Sequence, residues 1–468
     1  PEQEVAEEVA LEFVTLGSVD EDSPYRMLAT LTNQGAGVRR VELSSEHYLD
    51  LHDRGGYLGH LELSASDATG LLVQAVGAGT PAAMAGLQVG DRILAAGAEQ
   101  AETLSTAEEL DAVCGARKPG QTIALRVARD AQQLDLSPTL SRHPLDVLRP
   151  EAENVLLYDK ELPPGFVEPP SCLFTIGRVN GQTIGSEAEE LPGVDLLTGN
   201  WRIVQRSESS ATFERRVPGY GLVVAKRYEL AQRDLAPDAD PDHPSYHIVL
   251  SVSVRNVAEE AVDVAYRLDG PNGLPIEGWW YANKIGRNWG ANGLRDVVGR
   301  YFNGTPQQQP PAKIADGDVE DFEGASMAYM GVDAQYFAAV MIPEKTNVDE
   351  IWIKTAQSTL LGTKAERPSE RRLGNVTCRL ESRRLESDGV SLAPGQEQTQ
   401  SYRIFIGPKR PELLSQYRCA DSDEYSLKDL VYYGWFDKIA RLMLGVLHFF
   451  YGIVGNYGVA IILLTALV

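Results

Sequence analysis

The chain is 468 residues long, which as a prior accommodates about three domains of roughly 150 residues each. Its 43% apolar and 23% charged content is that of a chain with packed cores and excludes disorder throughout. With 43 Lys and Arg against 66 Asp and Glu the net charge is −23, and a chain this acidic repels phosphates, so nucleic acid is excluded as a partner.

In chain order, residues 1–51 alternate in strand fashion. Tyr25–Thr32, the turn Asn33–Gly37 and Val38–Leu43 predict a hairpin. Residues 52–140 form a unit of different character, residues 144–200 are rich in Pro and Gly, and strand patterns recur from 201 to 407. They include Ala211–Arg216, Gly221–Leu230, Tyr246–Val254, Val262–Leu268, Tyr336–Ile342 and Gln400–Ile406, separated by Gly, Pro, Asn and Asp clusters. Many short strands and few long helical patterns predict a mainly β chain built on a large sandwich.

The C-terminus differs. From Leu442 to Val468 there is no Asp, Glu, Lys or Arg. Phe449–Val468 is twenty residues, about 30 Å as a helix, which predicts a transmembrane helix over 447–468 rather than a buried core helix. Before it, Leu427, Leu430, Val431, Trp435, Ile439, Leu442, Met443 and Val446 recur at spacings of three and four. That spacing predicts an amphipathic helix over 426–446 lying on a membrane surface, with Tyr432, Tyr433, Trp435 and Phe436 as interfacial anchors. From Ser426 onward two Lys and one Arg face two Asp, a balance of +1, so residues 1–425 hold −24. The chain starts at Pro1 without an export signal and stops inside its apolar run, so it reads as an internal fragment of a longer membrane protein.

Few constellations carry chemistry. Cys114, Cys172, Cys378 and Cys419 form no C-x-x-C pair, so neither zinc nor a redox motif is expected, and four cysteines leave three pairings open. His243 and His247 flank a Pro-rich loop rather than a helix turn, and Asp238, Asp240 and Asp242 read as a solvated acidic turn rather than a Ca²⁺ site. Glu277-Gly-Trp-Trp-Tyr-Ala-Asn283 with Trp289 is an aromatic patch, read as core packing or domain contact with sugar stacking as the alternative. No catalytic residue, metal or cofactor is expected.

Gly56-Tyr-Leu-Gly-His-Leu61, Gly70-Leu-Leu-Val-Gln-Ala-Val76 and Gly79-Thr-Pro-Ala-Ala-Met-Ala-Gly-Leu-Gln-Val-Gly-Asp-Arg-Ile-Leu94 resemble a bacterial PDZ domain over residues 52–140. Ser105-Thr-Ala-Glu108 reads as a capping box that starts its helix, with Ala107, Leu110 and Cys114 on one stripe. The resemblance implies strand addition of a partner's C-terminus, its carboxylate held by the amides of Leu58, Gly59 and His60, with apolar last residues as the expected ligands. His60 departs from the apolar residue usual in that loop, and a structural insert without a ligand is the alternative. The nucleophile loops of PDZ-bearing serine proteases do not occur.

Val454-Gly-Asn-Tyr-Gly-Val-Ala-Ile-Ile-Leu-Leu-Thr465, with Tyr433-Gly-Trp-Phe436, resembles the YidC-type membrane protein insertases. Weaker matches upstream are Asp333-Ala-Gln-Tyr-Phe-Ala-Ala339, Leu392-Ala-Pro-Gly-Gln396 and Ile404-Phe-Ile-Gly-Pro408. The resemblance implies a periplasmic β-super-sandwich over 1–51 and 141–425 with the PDZ-like α/β unit inserted. It further implies an inner-membrane insertase or chaperone, with Thr465 lining a membrane groove. Implied partners are nascent membrane proteins, the lipid bilayer, the Sec translocon and protein C-termini at the PDZ-like unit. Rivals are a membrane-anchored periplasmic peptide-binding scaffold and a carbohydrate-binding β-sandwich.

Overall fold

Short runs of Val, Ile, Leu and Tyr, broken by Gly and Pro, fold into antiparallel sheets in the computed structural model. It describes residues 9–467 apart from 66–69, 131, 160, 187, 236–241, 277, 280–292, 320, 324–325, 388–389, 421 and 435. A four-stranded sheet holds β1 (Phe13–Gly17), β2 (Met27–Thr32), β3 (Gly37–Leu43) and β10 (Asp146–Leu148) in that order. Between β3 and β10 lies a second unit, with β4 (Leu61–Ala65), β5 (Leu71–Val76), α1 (Pro81–Met84), β6 (Arg92–Gly97), β7 (Glu102–Thr103), α2 (Ala107–Gly115), β8 (Ala124–Arg129) and β9 (Gln132–Leu136). Its sheet runs β4-β5-β6-β8-β9, with β7 on β6, and it has its own core of Leu71, Val73, Ile93, Leu110, Ile123 and Val127.

After α3 (Glu151–Tyr158) two larger sheets share one core with the four-stranded sheet. The nine-stranded sheet is centred on His247–Asn256, Glu397–Pro408 and Phe337–Pro343. The six-stranded sheet is centred on Val264–Asp269 and Asn375–Ser382. Trp201, Phe174, Phe213, Tyr228, Tyr266 and Phe405 are fully buried in the common core.

A buried cation ties these layers together. Lys226 is fully buried, and its Nζ donates to the carbonyls of Gly35 at 3.2 Å, Ala36 at 2.6 Å and Cys172 at 2.6 Å. Tyr228 Oη donates to the same Ala36 carbonyl at 2.6 Å. The turn after β2 is thereby pinned to the nine-stranded sheet. Burial pulls the ammonium down to about 7, so only its three carbonyl acceptors make the position tenable.

The C-terminal segment departs from the sequence reading. No single amphipathic helix runs over 426–446, and helix begins only at Asp437. Leu427–Leu430 is instead a 3-10 turn that buries Leu427 and Leu430 in the sandwich core, and extended chain follows. After the short helices α4 (Pro311–Asp316) and α5 (Pro411–Gln416), the last two helices are α6 (Asp437–Val454) and α7 (Tyr457–Leu467). They are separate because Gly455 adopts a left-handed conformation at φ +63° and its N–H donates to the Tyr451 carbonyl at 2.7 Å. Asn456 Oδ1 then accepts from the amides of Gly458 at 2.8 Å and Val459 at 3.3 Å, capping the next helix. The expected transmembrane helix over 447–468 is therefore not a single helix. The described part of α6 begins among Lys438 and Arg441, and no helix of the described residues is long and apolar enough to cross a membrane. The two helices fold back on one another, stacking Tyr451 on Tyr457 at 3.9 Å and burying Ala460.

Replacing Lys226 by Met removes three hydrogen bonds and leaves their carbonyls buried without a donor, so Lys226→Met should cost about 2–4 kcal/mol. Urea denaturation reads the loss, and an unchanged midpoint would show that the carbonyls find other donors.

Candidate functional site

The loop Tyr57–His60 is held on three sides. Tyr57 exchanges both backbone hydrogen bonds with Ser141, at 2.9 and 3.0 Å, and the Leu58 carbonyl accepts from Ala82 N at 2.8 Å. Gly56 N donates to the carbonyl of Cys114 at the end of α2 at 3.2 Å. These bonds leave the amides of Leu58 and Gly59 without an acceptor among the described residues, while His60 N donates to Tyr57 Oη at 3.3 Å. Gly59 sits at φ +120°, and a Cβ there would lie 2.7 Å from Thr80 Cβ, so only glycine fits. Thr80 is itself fixed as the N-cap of α1, donating to Gly77 O at 2.7 Å and accepting from Ala83 N at 3.3 Å.

The loop leads into β4, the outermost strand of its sheet. Leu110 and Cys114 anchor α2 in the core of the unit. The capping box is formed by Thr106 and Glu109, one residue later than the sequence suggests, because Glu109 reaches back to the amides of Ser105 at 2.6 Å and Thr106 at 3.3 Å. A strand at the edge of its sheet, headed by two open amides, offers an extended chain that ends in a carboxylate both backbone pairing and an anion seat.

Sequence reasoning missed the charges packed against this loop. Arg39 is the extra residue of a β-bulge, since Thr30 pairs with Arg40 and Leu31 with Val38. Arg39 Nε donates to Glu62 at 2.5 Å, and the His60 ring lies 3.2 Å from the same carboxylate. Arg40, nearly fully buried, pairs with Asp146 of β10 and Glu153 of α3. Tyr57 Oη donates to Glu42 of β3. The available signal was Arg39-Arg40-Val-Glu42 inside an otherwise apolar strand.

Burial and the nearby Asp146 push Glu42 up to about 8, against the pull of Arg40. Burial likewise lifts Asp146 to about 6, opposed by Arg40 and Arg149. Burial raises Glu153 too, but Arg40 overrides it and holds Glu153 below the usual carboxylate range. His60 is lowered by burial and then by Arg40, so its ring is neutral at pH 7.

The other predicted positions are not gathered into a site. Thr465 Oγ1 donates to its own helix at Ile461 O, 2.8 Å away. Tyr432 and Tyr433 are half-buried, Tyr433 lying under Arg441 at 4.7 Å, and Phe436 is exposed; Trp435 lies outside the described residues. Of the aromatic patch, Trp279 packs on Tyr158 at 6.2 Å, while Glu277, Trp280–Asn283 and Trp289 lie outside the described residues, as do Asp238 and Asp240. The four cysteines are buried and free, and burial raises each thiol. Among the described residues no group of three or more His, Cys, Asp or Glu could hold a metal ion.

Residues 299–446 match the YidC periplasmic domain family, and residues 37–140 match the PDZ domain family, a span that reaches back into β3. Among curated proteins, the chain is similar to the membrane protein insertase YidC of Geobacter sp. strain M21, 28% identical over 36% of this chain and 27% of that one. It is also similar to the YidC of Pelobacter propionicus, 44% identical over 17% of this chain and 14% of that one. The chain thus spans about a quarter or less of these relatives. Among solved structures, a putative aldose 1-epimerase of Escherichia coli K12 aligns at TM-score 0.35 and 10% identity over 85% of this chain and 100% of that one, a likeness too low to carry function.

The matches agree with a YidC-related periplasmic domain and a PDZ-like unit. They do not sustain the fuller reading of an inner-membrane insertase or membrane-anchored protein. The turn at Leu427–Leu430 and the break at Gly455 replace the two continuous helices on which that reading stood, and no helix of the described residues is long and apolar enough to cross a membrane.

The Glu42 shift has a sign that can be measured. Docked against Tyr57, Glu42 keeps its proton up to about pH 8, whereas an exposed Glu releases it near 4.5. Its contribution is thus full below about pH 4.5 and lost as pH rises through about 8. Glu42→Gln keeps an acceptor for Tyr57 and removes this titration. Melting temperatures from pH 5 to 9 should show the variant gaining on the parent as pH rises; a constant difference would place the proton elsewhere.

Proposed function

We propose that this chain is a peptide-docking module in which the PDZ-like unit captures extended C-termini and the β-sandwich holds it in a fixed orientation. The observation that carries this reading is the junction of the Leu58 and Gly59 amides with the free edge of β4. The amides supply partial positive charge for a carboxylate, and the edge supplies backbone hydrogen bonds to the residues before it. The PDZ family match over 37–140 supports it. The YidC periplasmic domain match over 299–446 supports a periplasmic working place for the sandwich. Binding of this kind breaks no covalent bond and needs no nucleophile.

The test uses the whole chain and fluorescein-labelled decapeptides followed by anisotropy. Peptides with a free C-terminus should bind, and amidating that terminus should weaken binding by about tenfold or more, as loss of a charge-assisted contact implies. Gly59→Val should abolish binding because its Cβ would collide with Thr80. Equal binding of free and amidated peptides would overturn the assignment without any change to the protein.

A further inference from the structure

The third amide of the carboxylate seat is already taken, and by a residue of the same loop. Leu58 N and Gly59 N are open, whereas His60 N donates to Tyr57 Oη at 3.3 Å. The phenol can accept there because its own proton points the other way, to Glu42 Oε1 of β3. A chain of hydrogen bonds thus runs from the loop into the sandwich. Tyr57 is buried, its backbone is locked to Ser141, and its ring stands edge-on to His143 at 5.1 Å. The ring also borders a cavity of about 570 Å³ between the two units, walled by Leu43, Leu49, Pro81, Met84 and Ser141. The hydroxyl therefore has room to leave His60 while the backbone stays in place.

A 3.3 Å bond from an amide to a neutral phenol is long, and a carboxylate is the stronger acceptor. A C-terminus anchored on Leu58 and Gly59 would compete for the same N–H. We propose that Tyr57 is a latch on the seat: its hydroxyl stands in for a ligand oxygen on the His60 amide, and Glu42 of the sandwich holds it there. This inference rests on the peptide-docking reading and adds its regulation. The groups facing Glu42 are Arg40 on its own strand, Asp146 on β10, Glu153 on α3 and Tyr57 from the loop. Its second oxygen is buried without a partner, and burial with Asp146 nearby keeps its proton on up to about pH 8. Above that, the ionised carboxylate grips the phenol proton harder and makes the phenol oxygen a better acceptor for His60 N–H. It also repels an incoming carboxylate. Each effect closes the latch, so affinity falls as pH rises through about 8.

The test titrates the intact chain, by calorimetry, with N-acetylated Ala/Ser decapeptides that end in Val with a free or an amidated C-terminus. Tyr57→Phe should bind the free-carboxylate peptide about fivefold more tightly and the amidated one no differently, since only a carboxylate uses the released amide. A loosened fold would weaken both, and circular dichroism checks each variant. For the parent chain, affinity for the free-carboxylate peptide should fall about fivefold from pH 7 to 9.5, a range above the titration of Asp146 at about 6. Glu42→Gln should flatten that profile. A folded Tyr57→Phe chain that binds no more tightly, or a parent profile as flat as that of Glu42→Gln, would overturn the latch and leave docking intact. No binding of the free-carboxylate peptide by the parent and Tyr57→Phe alike would overturn both.

Discussion

The seat of the groove depends on one buried cation. Arg40 stands in strand β3 where burial would lower its pKa, yet Asp146 and Glu153 hold it well above the ordinary value. A guanidinium removed from water is tolerable only while its carboxylates stay in place, since losing either leaves an uncompensated buried charge. The same cation depresses the His60 ring at the head of the groove and Glu153 at its rim. The orientation of the inserted unit on the sandwich and the electrostatics of its binding loop are therefore set by the same contacts.

Such a seam is costly in a way that an apolar one is not. Glu42 has one oxygen on Tyr57 and the other buried without a partner, and burial keeps the group protonated. Hydrophobic side chains of similar size would dock two units at least as firmly. What charges add is direction, since Arg39 accepts few orientations of the Glu62 carboxylate it meets on the inserted unit. The two scaffolding elements answer to different needs. The sandwich is pinned internally by Lys226 and three carbonyls, whereas the inserted unit has a separate apolar core and meets the sandwich through ionisable groups and through backbone bonds such as Val19 N to the Ala78 carbonyl.

Local patterns were legible where local physics decides. The hairpin of β2 and β3, the glycine of the binding loop and the helix start near Ser105 could be read from alternation, from Gly59 and from a capping pair. The C-terminus shows where hydrophobicity misleads. An uncharged run of twenty residues looked like a span, but Gly455 and Asn456 carry helix-stop and helix-start chemistry that divides it. The stripe at 427–446 is not one helix, because the sandwich buries Leu427 and Leu430 as a short turn and helix starts only at Asp437.

By itself the sequence determined the β-rich character of the body, the PDZ-like loop with Gly59 at its turn, and the net acidity. These follow from alternation, backbone sterics and composition, which act over a few residues or sum over all. Only the tertiary structure decided that Arg39, Arg40 and Glu42 of one unit meet Tyr57, His60 and Glu62 of the other, and that Glu153 pairs with Arg40. Arg40 and Glu153 are 113 residues apart. Their pairing is a consequence of how two sheets dock, and no local pattern of residues encodes a contact at that range.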